Sequence, residues 1–333
     1  MDNKHCEATF YVTDTSGPAI FGLPLARALK IIHVNIDTAT TTHPPLDCKS
    51  NVLKEYPECF NGIGRLPGAF HITVDTAVTP VVSSPRRVPI ALKDEIKAEL
   101  DDMVQQGIIM KVNEGQPTDW VNSIVYQRKP SGKLRICLDP RDLNKAIKRE
   151  HHVPTTLDEI TPKLNGARYF TTLDARCGYW NVALDDESSF LTTFNSPFGR
   201  FRFLPMPFRL HMSQDIFHAR IDQLVEGLEG IIAIADDIIV FGMTEAEHDA
   251  ALRHLLQRCL ESGLKLNPDK MRIRGHAVKF YGVICSADGI KPDPRKVTAL
   301  QNMSAPTCSH EVLSFLGLAT YMSPFIANLS DLA

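Results

Sequence analysis

The stretch Gly230-Ile-Ile-Ala-Ile-Ala-Asp-Asp-Ile-Ile-Val-Phe-Gly242 places two adjacent aspartates in the middle of the most apolar β-type run of the chain. Isoleucine and valine favour strands, and a glycine stands at each end of the run. The simplest arrangement is a β-hairpin that presents Asp236 and Asp237 together at its bend. Carboxylates are costly to bury unless something pairs with them or binds them. Because hard oxygen ligands suit Mg²⁺, the run indicates metal-assisted phosphoryl chemistry.

Asp174 is the natural third carboxylate. It ends a predicted strand over residues 167–174, and we expect that strand to lie in the same sheet as the hairpin. Two divalent cations about 3.5–4 Å apart, bridged by such acids, stabilise the attacking and leaving oxygens of an in-line phosphoryl transfer. A plainer alternative is open at this point, in which Asp236 and Asp237 form a surface turn and Asp174 caps a helix.

Because the overall charge is close to neutral, any nucleic-acid-binding surface must be confined to part of the chain. The 333 residues include 36 basic and 39 acidic side chains, which give a net charge of −3, and 44% are apolar. Residues 126–150 are locally basic, which fits either a solvated face or a phosphate-binding surface. The eight cysteines are scattered, the first residues lack a signal peptide, and no apolar run reaches the roughly 18 residues of a membrane span. We therefore expect an intracellular, cytoplasmic protein with reduced thiols and no membrane partner.

The order of predicted elements indicates an α+β fold. Between residues 167 and 264 the pattern reads as three strands, a helix, the hairpin and a second helix, so helices pack on one face of an antiparallel sheet. Thr244 and Glu247 form a capping box at the start of the second helix, and Ser213 is expected to cap the first. Upstream, the patterns predict a helix over 92–104, ended by Gly107, and a basic hairpin over 121–138.

Several ordered segments resemble the reverse transcriptases of gypsy-type long-terminal-repeat retrotransposons, encoded within Pol polyproteins. The segments are Lys129-Pro-Ser-Gly-Lys-Leu-Arg135, Leu138-Asp-Pro-Arg-Asp-Leu-Asn144, Leu173-Asp-Ala-Arg-Cys-Gly-Tyr-Trp-Asn181, Thr193-Phe-Asn-Ser-Pro-Phe-Gly199, Leu204-Pro-Met-Pro-Phe-Arg-Leu210, Ile234-Ala-Asp-Asp237, Gly263-Leu-Lys-Leu-Asn-Pro-Asp-Lys270 and Phe280-Tyr-Gly282. The resemblance covers residues 88–333. It implies a right-hand polymerase, with fingers and palm over 88–290 and the start of a truncated thumb over 291–333.

The front of the chain is similar to a different protein class. Ala19-Ile-Phe-Gly-Leu-Pro24 resembles the C-terminal part of a retroviral-type aspartic protease, so residues 1–36 are expected to be a remnant of that domain. Asp14-Thr-Ser-Gly17 has one residue more than the catalytic Asp-Thr-Gly, and we interpret it as a turn. Residues 37–87 are then a connector with a few short strands.

The resemblance also assigns roles to individual residues. Asp174, Asp236 and Asp237 match the catalytic, metal-binding triad, with the backbone at Ala175 beside them. The matching dNTP-binding residues are Lys129, Arg135, Tyr179 and Phe208. The matching template and primer residues are Arg141, Phe280, Tyr281 and Gly282. At Tyr179, a ring beneath the sugar would select deoxynucleotides, and packing in the core with Trp180 is the alternative.

The implied function is RNA-directed DNA polymerisation, in which a primer 3′-hydroxyl attacks the α-phosphate of a dNTP with two Mg²⁺, or Mn²⁺, ions. The partners would be an RNA or DNA template with its primer and dNTPs. A parent polyprotein would add protease, ribonuclease H and integrase, within a virus-like particle. Two residues depart from the family pattern, Arg209 at a usual glycine and Ile234 at a usual tyrosine. The alternative is a degenerate fragment without catalysis that at most binds nucleic acid.

Overall fold

The computed structural model describes residues 45–128, 132–150, 152 and 155–325. The segment expected to be a protease remnant, 1–36, and Lys129 lie outside these residues. The described residues from Leu46 onward form one compact unit. Its α-helices are α1 Lys49–Glu55, α2 Lys93–Gln105, α3 Leu143–Ala146, α4 Leu157–Ile160, α5 Asp186–Leu191, α6 Ser213–Val225, α7 Glu245–Ser262, α8 Pro294–Gln301 and α9 Ser309–Tyr321.

Within the described residues, the strands form four small sheets, all with antiparallel pairing. The strands are β1 Ile109–Lys111, β2 Ser123–Arg128, β3 Leu134–Asp139, β4 Tyr169–Asp174, β5 Phe194–Ser196, β6 Gly199–Phe203, β7 Ile231–Ile234, β8 Asp237–Gly242, β9 Arg272–Gly275, β10 Ala277–Phe280, β11 Val283–Ser286 and β12 Gly289–Pro292. The strand orders are β7-β8-β4-β9, β2-β3, β1-β6-β5 and β10-β11-β12. Together with the helices, they confirm the predicted α+β class.

The four-stranded sheet is the predicted palm, and both of its faces are covered. Along β8, Ile238 and Val240 pack into the large core, which also receives side chains of α6 and α7. Ile239 points to the opposite side, into a smaller core with Val278 and Phe280. Burial on both faces explains why the sequence of this hairpin is almost continuously apolar instead of alternating.

Most predicted elements are present with ends within a few residues of those expected. The capping box of Thr244 and Glu247 is formed, and Gly263 ends α7 in the left-handed conformation at φ 76°. Ser213 differs, because it is the first residue of α6 and its hydroxyl donates to the carbonyl of Pro207 at 2.9 Å instead of capping the helix. The sequence patterns missed the short helix α5, whose Asp185 cap accepts from the backbone of Ser188.

The segment expected to be a connector contributes to the large core. Leu46, Val52, Phe60 and Ile72 are all buried there. Their sparse spacing gives no periodic signal, although all four belong to the core that also contains side chains of the palm sheet and its helices. The division of the chain into domains at residue 88 stays a prediction.

Two findings concern the cellular setting. No helix within the described part of the chain is long and apolar enough to cross a membrane. None of the described cysteines forms a disulfide.

Candidate active site

The bend of the β7–β8 hairpin places the aspartates opposite the end of β4. Ile234 pairs with Asp237 across the turn, and Asp174 pairs with Asp237 across the sheet. The backbone carbonyl of Asp236 accepts from the N–H of Ala175 at 2.8 Å. All three predicted acids are therefore brought together at one edge of the palm sheet, as the sequence indicated.

The environment of these carboxylates disfavours their ionised forms. Burial, together with the charges of Asp174 and Asp237, raises the pKa of Asp236 to about 6. Partial desolvation and the charge of Asp174 also raise the pKa of Asp237. Because the ionised forms are disfavoured here, the cluster is prepared to accept a positively charged partner.

Lys270 supplies one positive charge, a role that its sequence motif does not indicate. Its Nζ donates to Asp174 Oδ2 at 2.6 Å, and this bond is the main reason that the pKa of Lys270 is raised. The backbone N–H of Asn267 also donates to the carbonyl of Asp174 at 2.8 Å. The motif Gly263–Lys270 belongs to the family resemblance, but nothing in its spacing indicates which acid the ammonium group of Lys270 contacts.

Gly178 makes room for the Asp236 carboxylate. A Cβ on this glycine would lie 2.8 Å from Asp236 Oδ1, closer than ordinary contact allows, and its φ of 37° is also unfavourable for other residues. Asp236 Oδ1 is itself buried without a hydrogen-bond partner. Such an atom is costly in an apolar surrounding unless a donor or a cation satisfies it.

The residues present fit a divalent cation. They offer hard carboxylate oxygens, one of which, Asp236 Oδ1, lacks a hydrogen-bond partner. No group of three His, Cys, Asp or Glu side chains in the described ranges already has the geometry of a metal site. One oxygen of Asp174 is held by Lys270.

An aromatic cluster lies beside the acids and carries a cation from the β2–β3 hairpin. The guanidinium of Arg135 stacks over the ring of Phe208, with its Cζ 4.4 Å from the ring centroid. Tyr179 lies 5.0 Å from Phe208 and 5.7 Å from Phe217, between ring centroids. Trp180 contacts Phe208 as well, at 5.9 Å. Tyr179 is only partly buried, so it packs against the core and still presents one side to solvent.

Arg209 occupies a position where the family usually has glycine, and its backbone conformation is one that glycine adopts more readily than other residues. Its φ is 76°, and the side chain is exposed. Asn144 holds this loop, because its Nδ2 donates to the carbonyl of Arg209 at 2.9 Å and its Oδ1 accepts from the N–H of His211 at 3.1 Å. The arginine therefore adopts the left-handed conformation at a cost of about 1–2 kcal/mol.

The basic stretch is largely paired with acids of its own chain. Arg128 donates to Glu95 on α2 at 2.9 Å, and Lys133 lies 3.1 Å from Asp102. Arg141 lies 3.2 Å from Asp139 and stays exposed. The charge run is thus mainly a set of structural ion pairs.

A groove of about 540 Å³ extends from Asp174, Asp237 and Lys270 toward the turn that follows β10. Phe280 forms part of its wall but is buried in the smaller core, whereas Tyr281 is exposed at a φ of 45°. Gly282 follows at a φ of 80°. Of the predicted primer residues that line the groove, Phe280 is buried and Tyr281 is exposed.

The comparisons with known proteins agree with this geometry. Residues 127–285 match the family Reverse transcriptase (RNA-dependent DNA polymerase). The chain is 32% identical over 269 residues to the Retrovirus-related Pol polyprotein from transposon 297 of Drosophila melanogaster, covering 79% of this chain and 25% of that protein. It is 29% identical over 265 residues to the corresponding protein from transposon gypsy of the same organism, covering 78% and 25%. The chain spans about a quarter of the length of these relatives.

Solved structures show the same fold. The foamy viral protease-reverse transcriptase in complex with double-stranded DNA matches with a TM-score of 0.75 and 24% identity, covering 85% of this chain and 50% of that one. The foamy viral enzyme in complex with an RNA/DNA hybrid matches with a TM-score of 0.69 and 23% identity, covering 82% and 37%. Residues 127–285 of this chain are a reverse transcriptase domain, of the kind found in retrovirus-related Pol polyproteins of transposons such as gypsy.

Proposed function

We propose that this chain is the RNA-directed DNA polymerase part of a retrotransposon Pol polyprotein. The single observation that supports this most strongly is the pairing of Asp174 with Asp237 across the sheet, with Asp236 in the adjoining turn. The reaction joins a dNTP to a primer: the 3′-hydroxyl attacks the α-phosphate and pyrophosphate leaves.

Asp174, Asp236 and Asp237, with the backbone carbonyl of Ala175, would hold two Mg²⁺ ions, or Mn²⁺ in their place. When bound, these ions supply charge for the attacking and leaving oxygens. The protein's own contribution is to keep the carboxylates fixed. The hydrogen bond from Ala175 to the carbonyl of Asp236 and the ion pair of Lys270 with Asp174 do this.

The aromatic cluster is the proposed site of the incoming nucleotide. Arg135, together with Lys129, would bind the triphosphate, because a guanidinium group matches phosphate oxygens in charge and geometry. Phe208 orients Arg135 by stacking beneath it. Tyr179 contacts Phe208 and is close enough to Asp236 to interact with its charge, and there its ring would exclude a ribose 2′-hydroxyl and select dNTPs.

The groove that leads away from the acids is the proposed path of the primer. Lys270 and Lys279 line it and pair with Asp174 and Asp293, and Tyr281 is exposed at its edge. Arg272 and Arg295 are further cations of its lining. An RNA or DNA template paired to this primer would complete the substrate. The neighbouring domains of a parent polyprotein, protease, ribonuclease H and integrase, remain part of this proposal, as does an intracellular, cytoplasmic location.

Primer extension tests the proposal. We expect the purified chain to extend a DNA primer on an RNA template with Mg²⁺ and dNTPs. Asp236→Asn should lower the rate by a factor of about 10³ or more, because it removes a metal-binding oxygen. Asp288→Asn is the matched control, since Asp288 is exposed and pairs only locally with Lys291.

Two outcomes contradict the proposal. An Asp236→Asn variant as active as the parent rules out the metal assignment. Binding of primer–template with a steep salt dependence but without synthesis, in both the parent and Arg209→Gly, indicates a degenerate binding fragment instead. Synthesis only after Arg209→Gly indicates an intact architecture disabled at that loop.

A further inference from the structure

The turn that carries Asp236 is held by a buried histidine of α6. The backbone N–H of Ala235 donates to Nε2 of His218. His218 is only 4% exposed, and it lies in the middle of Ser213–Val225. On its other side the turn is held by the N–H of Ala175, which donates to the carbonyl of Asp236 at 2.8 Å.

This turn needs support because its backbone is strained. Ala235 has a φ of 53°, in the left-handed region that residues with a Cβ disfavour. Such conformations persist where the surrounding structure fixes them. Since Asp236 follows directly, the orientation of the Ala235 peptide determines where its carboxylate points.

His218 packs against a second histidine. Its ring lies 5.8 Å from that of His152, between centroids, and His152 Nε2 is 2.7 Å from Asp222 Oδ2 on the next turn of α6. Because Nε2 of His218 accepts a hydrogen bond, the neutral ring carries its proton on Nδ1. The Ala235 N–H needs an acceptor, and the unprotonated Nε2 provides it.

We propose that His218 is a positioning residue, which orients the Asp236 carboxylate toward a divalent cation by accepting the hydrogen bond of Ala235. It touches neither substrate nor metal, and it acts through the backbone of the turn. This inference rests on the proposed function, because it assigns a role within the same site. Groups that orient metal ligands in this way typically contribute about 10–100-fold to metal affinity or activity.

The test compares two substitutions of His218 in the full chain. His218→Leu fills a similar volume but accepts no hydrogen bond, whereas the side-chain oxygen of His218→Gln can still accept one. Binding of Mn²⁺ alone, measured by electron paramagnetic resonance, should weaken about 10-fold or more in His218→Leu and at most about 3-fold in His218→Gln. In single-nucleotide incorporation, the maximal rate should fall in the same order, while the dissociation constants of primer–template and dNTP stay unchanged.

His248→Leu is the matched control. His248 is buried on α7 and bonds to Thr171 at 2.8 Å, away from the turn. Its loss should lower the melting temperature and leave Mn²⁺ affinity within about 3-fold of the parent. If His218→Leu does not fold, His218→Ser replaces it, because the shorter hydroxyl cannot reach the turn.

The inference is overturned if His218→Leu keeps the Mn²⁺ affinity and the maximal rate of the parent. It is equally overturned if glutamine and leucine cause the same loss, since the accepting atom would then be irrelevant. A parent that binds Mn²⁺ but extends no primer contradicts the proposed function alone, and the Mn²⁺ affinities still decide the role of His218. A parent that binds no Mn²⁺ overturns both.

Discussion

The two antiparallel hairpins β2–β3 and β7–β8 differ in whether their charged side chains are paired with opposite charges. In β2–β3, Arg128 and Lys133 are paired with acids of α2. At the bend of β7–β8, Asp236 and Asp237 stand together with raised pKa values, and a buried oxygen of Asp236 has no hydrogen-bond partner. Paired charges hold the first hairpin to its helix, whereas the second keeps like charges together at a cost in stability. Sites of chemistry commonly show the second pattern.

Among the described cations of the first hairpin, Arg135 departs from its pattern of pairing, and its loss should have the largest effect within that hairpin. It stacks on Phe208 instead of pairing with an acid. We expect Arg135→Ala to lower kcat/KM for dNTP about 100-fold, mainly through KM, because a charged contact to the triphosphate is removed. Arg128→Ala is the control in the same hairpin, with a change of about 3-fold or less. Equal losses in steady-state kinetics would remove the distinction between the two arginines.

Asp236→Asn should stabilise the metal-free protein even though it abolishes activity. The substitution removes one of three neighbouring negative charges and keeps the shape of the side chain. We expect the free energy of unfolding at pH 7.5, measured by urea titration with a chelator present, to rise by about 1 kcal/mol. A decrease of similar size would mean that the carboxylate cluster contributes to stability, contrary to the contrast between the hairpins.

Acidification should affect the palm sheet and spare the ion pairs of β2–β3. Burial lowers the pKa of His248, and Asp249 beside it acts in the opposite direction. Arg274 lowers this pKa further by a smaller amount, and Glu245 raises it by less still. At this residue the folded state therefore binds fewer protons than the unfolded state just below the ordinary histidine pKa, so the contribution of His248 to stability is full above about pH 6.5 and falls as the pH decreases.

We expect His248→Gln to flatten this pH dependence of the unfolding free energy by about 1 kcal/mol between pH 7 and 5.5. His254→Gln, on an exposed position of the same helix, is the control and should leave the slope unchanged. An unchanged slope in His248→Gln would show that its protonation does not limit stability in acid.

The smallest effect is expected for the exposed pairs themselves. Glu95→Gln removes the acid that faces Arg128 in β2–β3, and both side chains are about half exposed. The free energy of unfolding should fall by about 0.5 kcal/mol, and by less in 1 M salt, which screens surface charge. A loss above about 2 kcal/mol would mean that this hairpin depends on its charges more than the comparison implies.

Local signals in the sequence were sufficient for much of the fold. The apolar run around Asp236 predicted the hairpin, Thr244 and Glu247 predicted the start of α7, and Gly263 predicted its end. These features depend on residues a few positions apart, so the chain can be interpreted without its tertiary structure. The ordered motifs also indicated which acids would meet, and the pairing of Asp174 with Asp237 agrees.

Contacts between distant parts of the chain could not be predicted in this way. Lys270 meets Asp174 across 96 positions, and Arg128 meets Glu95 across 33. Residues 46–74 pack into the core although their pattern resembles a connector. In each case the contact depends on how the chain packs in space, and no periodicity of the sequence predicts it.

The sequence by itself determined most of the elements, the acids and the family, because helical and strand periods, caps and motif order are properties of neighbouring residues. Only the tertiary structure decided which charges are paired and which remain available, and which side chain supports the turn of Ala235. The physical reason is that an electrostatic or hydrogen-bond partner is defined by distance in space, and distance in space is set by the packing of the whole core.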